Sequence, residues 1–480
     1  MKKQRFKYTY YGLLLASLTS CAVPKVMHIK DVTEIPEQII NRDEATNEKL
    51  EQITLNQWFK DPNLNLLFSK VRAPNPDFQI AQQRVSMANS LLLRSKTAML
   101  PTLELGAVIS GDHYGKYTME GVGNFDTNLS SNIDSDQRIN TDISPNYWIG
   151  TRSGWEVDAW GKLKNKKLSA QKKFLASGEG LRLLQIDLYT DTANLYYQLV
   201  TLDKRLKIYQ ENYKLQQRAF EIITAQREVG KVTELAVQQF KAQNNNWLAE
   251  IEYIKVEIVI VQQALATLTA EYGGEIKRGD ALLATNFDIL NKDINVSQVI
   301  HSRPDVASSY YELEASQADA KAARAAFYPR IDLGATFGLN SFSAGTIFKP
   351  SSLAGQLLGG LMVPVLNRGK IKYEFNIANS QQEIAFLNYQ KSVTSAFNEL
   401  QSVLKQTKIF HKVLKLKSEE VGFLDHGIEV SNDLYITGYA NYLELINSQR
   451  SKLQAELDLL EFEYQNTQNN ILLFKALGGF

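Results

Sequence analysis

One cysteine and five histidines in 480 residues leave little from which to build a metal centre, and they exclude a disulfide framework. His28, His113, His301, His411 and His426 never fall at metal-ligand spacing with Cys, Asp or Glu partners. Neither charge dominates: 53 Lys plus Arg stand against 52 Asp plus Glu, a formal +1. That balance argues against a basic nucleic-acid surface and against a polyacidic tail. Proline occupies only 11 positions and 44% of the residues are hydrophobic, so low-complexity disorder is excluded. Beyond the first 21 residues no run of 18 or more apolar residues occurs, and hence no transmembrane helix. There is no G-x-S-x-G elbow and no phosphate-binding loop, so neither hydrolysis nor nucleotide use has a site. The sequence is not that of an enzyme, and any work it takes part in draws energy from a partner.

Residues 1–21 are of a different kind from the rest. Lys2, Lys3, Arg5 and Lys7 precede a short apolar run from Tyr10 to Leu18, too short to cross a bilayer. The run ends in Leu18-Thr19-Ser20-Cys21, which resembles the lipobox of bacterial lipoproteins. The resemblance implies removal of a signal peptide, residues 1–20, and acylation of Cys21 by diacylglyceryl and palmitate-type chains. A plain signal peptide with an incidental cysteine is the alternative. Loss of residues 1–20 removes four basic residues and turns +1 into −3. Each buried methylene of an acyl chain contributes about 0.8 kcal/mol, so two or three chains hold the protein firmly. Ala22 follows the cysteine, in place of the Asp that marks inner-membrane retention in enterobacterial lipoproteins, so outer-membrane sorting is expected.

What the sequence does contain is helix. Leu181, Leu184, Leu188, Leu195, Leu199, Leu202 and Leu206 recur at spacings of three, four and seven. Leu248, Ile251, Ile254, Ile258, Val261, Leu265, Leu268 and Tyr272 do the same, as do Leu453, Leu457, Leu460 and Tyr464. These are coiled-coil seams. Lys162 to Val229 and Gly369 to Thr437 contain no proline, and the first predicts a helix roughly 100 Å long. The two halves also match. Pro76-Asp77 reappears as Pro304-Asp305, and Leu100-Pro101 as Tyr328-Pro329, at an offset of 228. Gly161-Lys162 reappears as Gly369-Lys370, and Gly230 as Gly438, at 208. A structural duplication with one longer loop in the first half accounts for both offsets.

Between helices the period changes to two. Ile331, Leu333, Ala335, Phe337 and Leu339 alternate with Asp332, Gly334, Thr336, Gly338 and Asn340. Leu103, Leu105 and Ala107 repeat the pattern, as do Trp155, Val157 and Ala159, and then Leu361, Val363 and Val365. The fold class expected is mainly α with a small β part: an internally duplicated long-helix coiled-coil barrel and four amphipathic strands. In an outer-membrane barrel, lipid covers the apolar face and a wet lumen the other. Four strands cannot close a barrel, whose smallest bacterial form has about eight, and open edges are not tolerated in lipid. A homotrimer supplying twelve strands is the simplest solution. The acidic loop Gly111 to Pro145 is expected outside the cell.

Taken together these features resemble the TolC-like outer-membrane efflux proteins, in the lipoprotein branch that serves resistance-nodulation-division pumps. The resemblance rests on Arg303-Pro304-Asp305, Tyr328-Pro329, Trp155-Glu156-Val157-Asp158-Ala159-Trp160-Gly161 and the segment from Gly438 to Arg450. It implies a trimeric twelve-stranded barrel continued by a periplasmic helical tube. The expected divisions are 1–20 signal peptide, 21–72 lipidated and equatorial segment, 73–272 first repeat, 273–300 equatorial linker and 301–480 second repeat. Gly230 and Gly438 become the tip turns that meet a periplasmic adaptor, which links to an inner-membrane transporter. Glu444, Asn447 and Arg450 become candidates for the aperture, although several relatives carry Asp where Asn447 stands, and solvated coiled-coil charges are the alternative. The first-half counterpart of Glu444 is Ala236. No cofactor is implied. The expected function is a passive exit duct for small molecules. The alternatives are a secretion port for polypeptides and a structural lipoprotein without a conduit. Arg278-Gly279-Asp280 and the sequon Asn128-Leu129-Ser130 are expected to be chance matches.

Overall fold

The computed structural model describes residues 23–26, 46–49, 54–283, 292–293, 295–364 and 368–479. Cys21, Val365 and residues 1–20 lie outside them. A parallel pair joins β1 (Thr46–Lys49) to β4 (Lys292–Asp293). The remaining elements form two compact units, each drawing corresponding segments from both halves of the chain.

The first unit, Met87–Phe174 with Glu312–Phe386, holds one antiparallel sheet in the order β2-β3-β5-β6. Its strands are β2 (Thr102–Asp112), β3 (Ser144–Val157), β5 (Arg330–Ser341) and β6 (Leu353–Met362). The strands end sooner than the alternation suggested. Ala159 lies in a turn and Val363 beyond β6, because Asp158 and Pro364 end the ladders. The loop from 113 to 143 contains a helix that its Gly, Asn and Ser content concealed, α4 (Met119–Leu129), capped by Thr118 accepting from Gly121 N.

The second unit comprises Asp31–Ser86, Leu175–Tyr311 and Leu387–Phe480. It includes α1 (Leu55–Trp58), α2 (Pro62–Arg72) and the beginning of α3 (Pro76–Thr97). Much of α5 (Lys162–Glu228), all of α6 (Glu234–Leu268) and α7 (Val296–Ser302) also belong to it. So do parts of α8 (Pro304–Ala325) and α9 (Arg368–Thr437), and all of α10 (Tyr442–Ala476). The 67 residues of α5 span roughly 100 Å. The seams predicted from leucine spacing form its core. Leu199, Leu202, Trp247, Ile251, Ile254, Val261, Leu265 and Leu453 are buried together. Leu248 and Tyr272 are the exceptions: Trp247 is buried in place of Leu248, which is exposed, and α6 is already capped at Thr269, leaving the Tyr272 ring fully exposed. A second cluster packs Phe59, Leu64 and Phe68 on Ile186, Tyr196, Tyr197, Ile471 and Phe474. No described helix is long and apolar enough to cross a membrane.

The duplication is visible atom by atom in this unit. Asn75 caps α3 by accepting from Asp77 N and Phe78 N, and its Nδ2 donates to Leu268 O at 3.0 Å. Arg303 stands at the equivalent position before α8 and donates through Nη1 to Ala476 O at 3.3 Å. Leu268 and Ala476 are themselves equivalent at the 208 offset. A neutral amide and a buried guanidinium thus reach the same carbonyl of their respective repeats.

Candidate functional site

The sheet has two chemically distinct faces. Register places Leu103, Leu105 and Ile109 of β2 beside Ser153, Thr151 and Tyr147 of β3, and Ile149, Trp155 and Val157 beside Leu339, Leu333 and Ile331 of β5. Leu353, Leu357 and Leu361 of β6 continue the same face. Most of its leucines and isoleucines are open to solvent in the single chain. Tyr147 and Trp155 mark its two ends, the placement expected of interfacial aromatic girdles. The opposite face pairs Glu104 with Arg152, Glu156 with Asp332, and Thr336 with Gln356. Arg152 also lies over the Trp148 ring at 5.4 Å.

One rung crosses that polar face on glycine: Gly106, Gly150 and Gly338 are successive partners. A Cβ on Gly150 would lie 2.4 Å from Phe337 O, and one on Gly338 2.3 Å from Ile149 O. No side chain fits at either position, so the backbones of β3 and β5 approach closely on this face.

At the base of the sheet the segment Trp155 to Gly161 becomes legible as a junction. Trp155 Nε1 donates to Met99 O at 3.0 Å, and Glu156 pairs with Lys162 at 2.8 Å. Asp158 accepts from Leu163 N and Lys164 N, which caps α5. Trp160 stacks on Tyr328 with ring centroids 5.0 Å apart, and its Nε1 donates to Pro329 O at 2.7 Å. Gly161 supplies the positive φ, 72°, that starts the helix.

At the far ends of the long helices the two tip turns have one geometry. Gly230 N and Lys231 N donate to Arg227 O and Gln226 O; Gly438 N and Tyr439 N donate to Tyr435 O and Leu434 O. Both are Schellman turns with glycine at positive φ, 71° and 85°. Ala219, Ile223, Val237, Phe240, Leu445 and Ile446 pack between them.

Glu444, Asn447 and Arg450 are all exposed on α10, yet they differ in what they do. Glu444 closes a capping box: its Oε2 accepts from Asn441 N at 2.9 Å, while Asn441 Oδ1 accepts from Glu444 N at 3.1 Å. It does not pair with Arg450 inside the chain. Its repeat counterpart Ala236 is buried in the tip core, so the two repeats present different surfaces here. Spacing did not signal Lys452, which is largely buried and joins Asp425 of α9 and Glu456 of α10. Burial works to lower its pKa, but the Asp425 carboxylate and then Glu456 outweigh this and hold it above the ordinary lysine value. The tie therefore persists through neutral pH and is lost only as pH rises beyond the lysine range. Glu456 Oε2 also accepts from Asn212 Nδ2 of α5 at 2.8 Å.

Two sequence matches expected to be chance have structural roles. Arg278 forms a two-pronged pair with Asp203 of α5, and Gly279 N donates to the Tyr196 hydroxyl at 3.0 Å, which donates to Asp61 at 2.6 Å. Asn128 of the sequon is held at both ends of its amide by Ile139. The Arg303 of Arg-Pro-Asp grips Asp305 and, at 2.6 Å, Glu399 of α9. Burial acts against its charge, but the two carboxylates raise its pKa further. Among the described residues no group of three or more His, Cys, Asp or Glu is placed to hold a metal ion.

Comparison with known proteins agrees with this architecture. The cation efflux system protein CusC of Escherichia coli K12 is 24% identical over 423 residues, 88% of each chain. The pyoverdine export outer membrane protein OpmQ of Pseudomonas putida is 25% identical over 438 residues, 90% of each chain. The crystal structure of the Campylobacter jejuni CmeC outer membrane channel shares the fold at a TM-score of 0.80 and 20% identity, over 96% of this chain and 95% of that one. The model of the outer membrane efflux protein family matches residues 67–274 and 295–479, and this chain belongs to that family.

Proposed function

We propose that three copies of this chain close a twelve-stranded barrel in the outer membrane. Through it they passively conduct small molecules delivered by a periplasmic adaptor and an inner-membrane transporter of the resistance-nodulation-division type. The observation that carries this reading is the sheet: one mainly apolar face, broken only by small residues such as Thr151 and Ser153 of β3, one mainly polar face, and two open edges at β2 and β6. Such edges persist in lipid only when neighbouring copies pair them. Acylation of Cys21 adds a second attachment to the same membrane. Gly230 and Gly438 shape the adaptor-facing turns, and Glu444, with Asn447 and Arg450 nearby, sets the charge of the aperture.

The cargo follows from the attached pump more than from this chain. CusC is named for cation efflux and OpmQ for pyoverdine export, yet both stand at nearly the same identity to it. A secretion port for polypeptides would use the same barrel; the lipobox favours the efflux reading. The test is light scattering of the purified protein followed by solute flux from liposomes. A mass of three chains and release of small solutes are expected. A stable monomer, or sealed liposomes containing folded protein, would overturn the proposal.

A further inference from the structure

The helix α4 carries an apolar stripe with nothing of its own chain on it. Met119, Val122, Phe125 and Leu129 recur at three- and four-residue spacing and are 89%, 56%, 61% and 69% exposed. A different face of α4 is already pinned: Asn124 Nδ2 donates to Ser144 Oγ at 3.2 Å, and Asn128 exchanges two hydrogen bonds with Ile139. The stripe is therefore held outward by design of the loop. Contiguous exposed apolar surface of this kind marks a contact. The β5–β6 loop, at the same end of the sheet, shows a matching feature. Phe348 is 78% exposed, although the segment around it is tightly organised by Ser341, Thr346 and Ser352 and anchored by Lys349 to Asp136 at 2.5 Å.

Topology decides what covers the stripe. β2, which leads into α4, and β6, which follows Phe348, are the two edges of the sheet. Within one copy the two edges are three strand spacings apart, about 14 Å, and although Lys349 and Asp136 join the loops above them, the α4 stripe and Phe348 both stay uncovered. Around a closed ring, β2 of one copy lies beside β6 of the next, about 4.8 Å away. The two edges are antiparallel there, so the end of β2 and the start of β6 meet at the same rim. A lipid partner is disfavoured by Glu120 and Asp126 on the same helix, which would face a phosphate-bearing surface.

We propose that the apolar face of α4 is an interface between copies of this chain, packing on Phe348 of the neighbouring copy to form a clasp at the external rim. The proposal rests on the trimeric reading above. Its test is the double variant Phe125→Cys/Phe348→Cys, oxidised in membranes and separated on a denaturing gel without reductant. Covalent dimers and trimers are expected from the double variant only, and none from the wild type. In parallel, Phe125→Asp should lower by several degrees the temperature at which the native trimer dissociates, with the strands still inserted. If light scattering finds a trimer but the introduced thiols form only intrachain links, or stay open to a water-soluble maleimide, the clasp is wrong and the duct stands. If no trimer forms even in the wild type, the underlying reading fails first.

Discussion

At the scale of single residues, the duplicated halves act as internal controls for each other. The C-terminal ends of α6 and α10 close with the same Schellman bonds, Glu271 N to Ala266 O in one and Gly479 N to Phe474 O in the other. The residue at positive φ is Gly478 in the second repeat but Ala270, at 54°, in the first. A side chain in that conformation costs about 1 kcal/mol relative to glycine. Ala270→Gly should therefore stabilise the helical unit by about that amount, read as a higher midpoint in thermal unfolding followed by circular dichroism; an unchanged or lower midpoint would show that the strain is absorbed elsewhere. Asn75 and Arg303 show the reverse situation, in which different chemistry reaches an equivalent carbonyl. The sequence displays Pro-Asp twice but gives no hint that the residue before it is the one that ties each repeat closed. That role depends on a partner 193 residues away in one repeat and 173 in the other.

At the scale of elements, helices and strands were legible because each has a strong period. The leucine seams of α5 and α6 became core, and the alternation in β5 became two faces. What spacing left hidden was anything decided by tertiary contact: α4, whose polar composition reads as loop, and the half-buried Lys452 tie between α9 and α10. The glycine rung was similarly invisible, since Gly150 and Gly338 meet only through strand pairing. It yields a paired prediction. Gly338→Ala should reduce folded, membrane-inserted protein several-fold, because its Cβ would sit 2.3 Å from Ile149 O. Gly334→Ala, on the same face of the same strand but with its nearest neighbour 3.7 Å away, should be tolerated. Equal yields from the two variants, measured in isolated outer membranes, would remove the close approach at the glycine rung as a constraint.

At the scale of the whole molecule, the lack of a long apolar helix among the described residues and the presence of an amphipathic sheet describe the same solution: the membrane is crossed by strands that a single chain cannot close. The fold and the four strands were readable from period and repeat. The behaviour of the tip was less so, because an exposed carboxylate three residues into a helix serves equally well as a cap and as a pore charge. Glu444 accepts a hydrogen bond from Asn441 N, and this capping role separates from the proposed aperture charge by substitution. Glutamine at this position keeps the capping box and removes the charge, whereas alanine removes both.

The most direct test of the conducting-duct reading is single-channel recording of the purified protein in planar bilayers, for wild type and Glu444→Gln. Discrete cation-selective steps in the wild type, with selectivity weakened in Glu444→Gln and helical stability unchanged, are the predicted result. A folded, inserted trimer that passes no current in either form would contradict the duct and return the chain to the role of a periplasmic spacer.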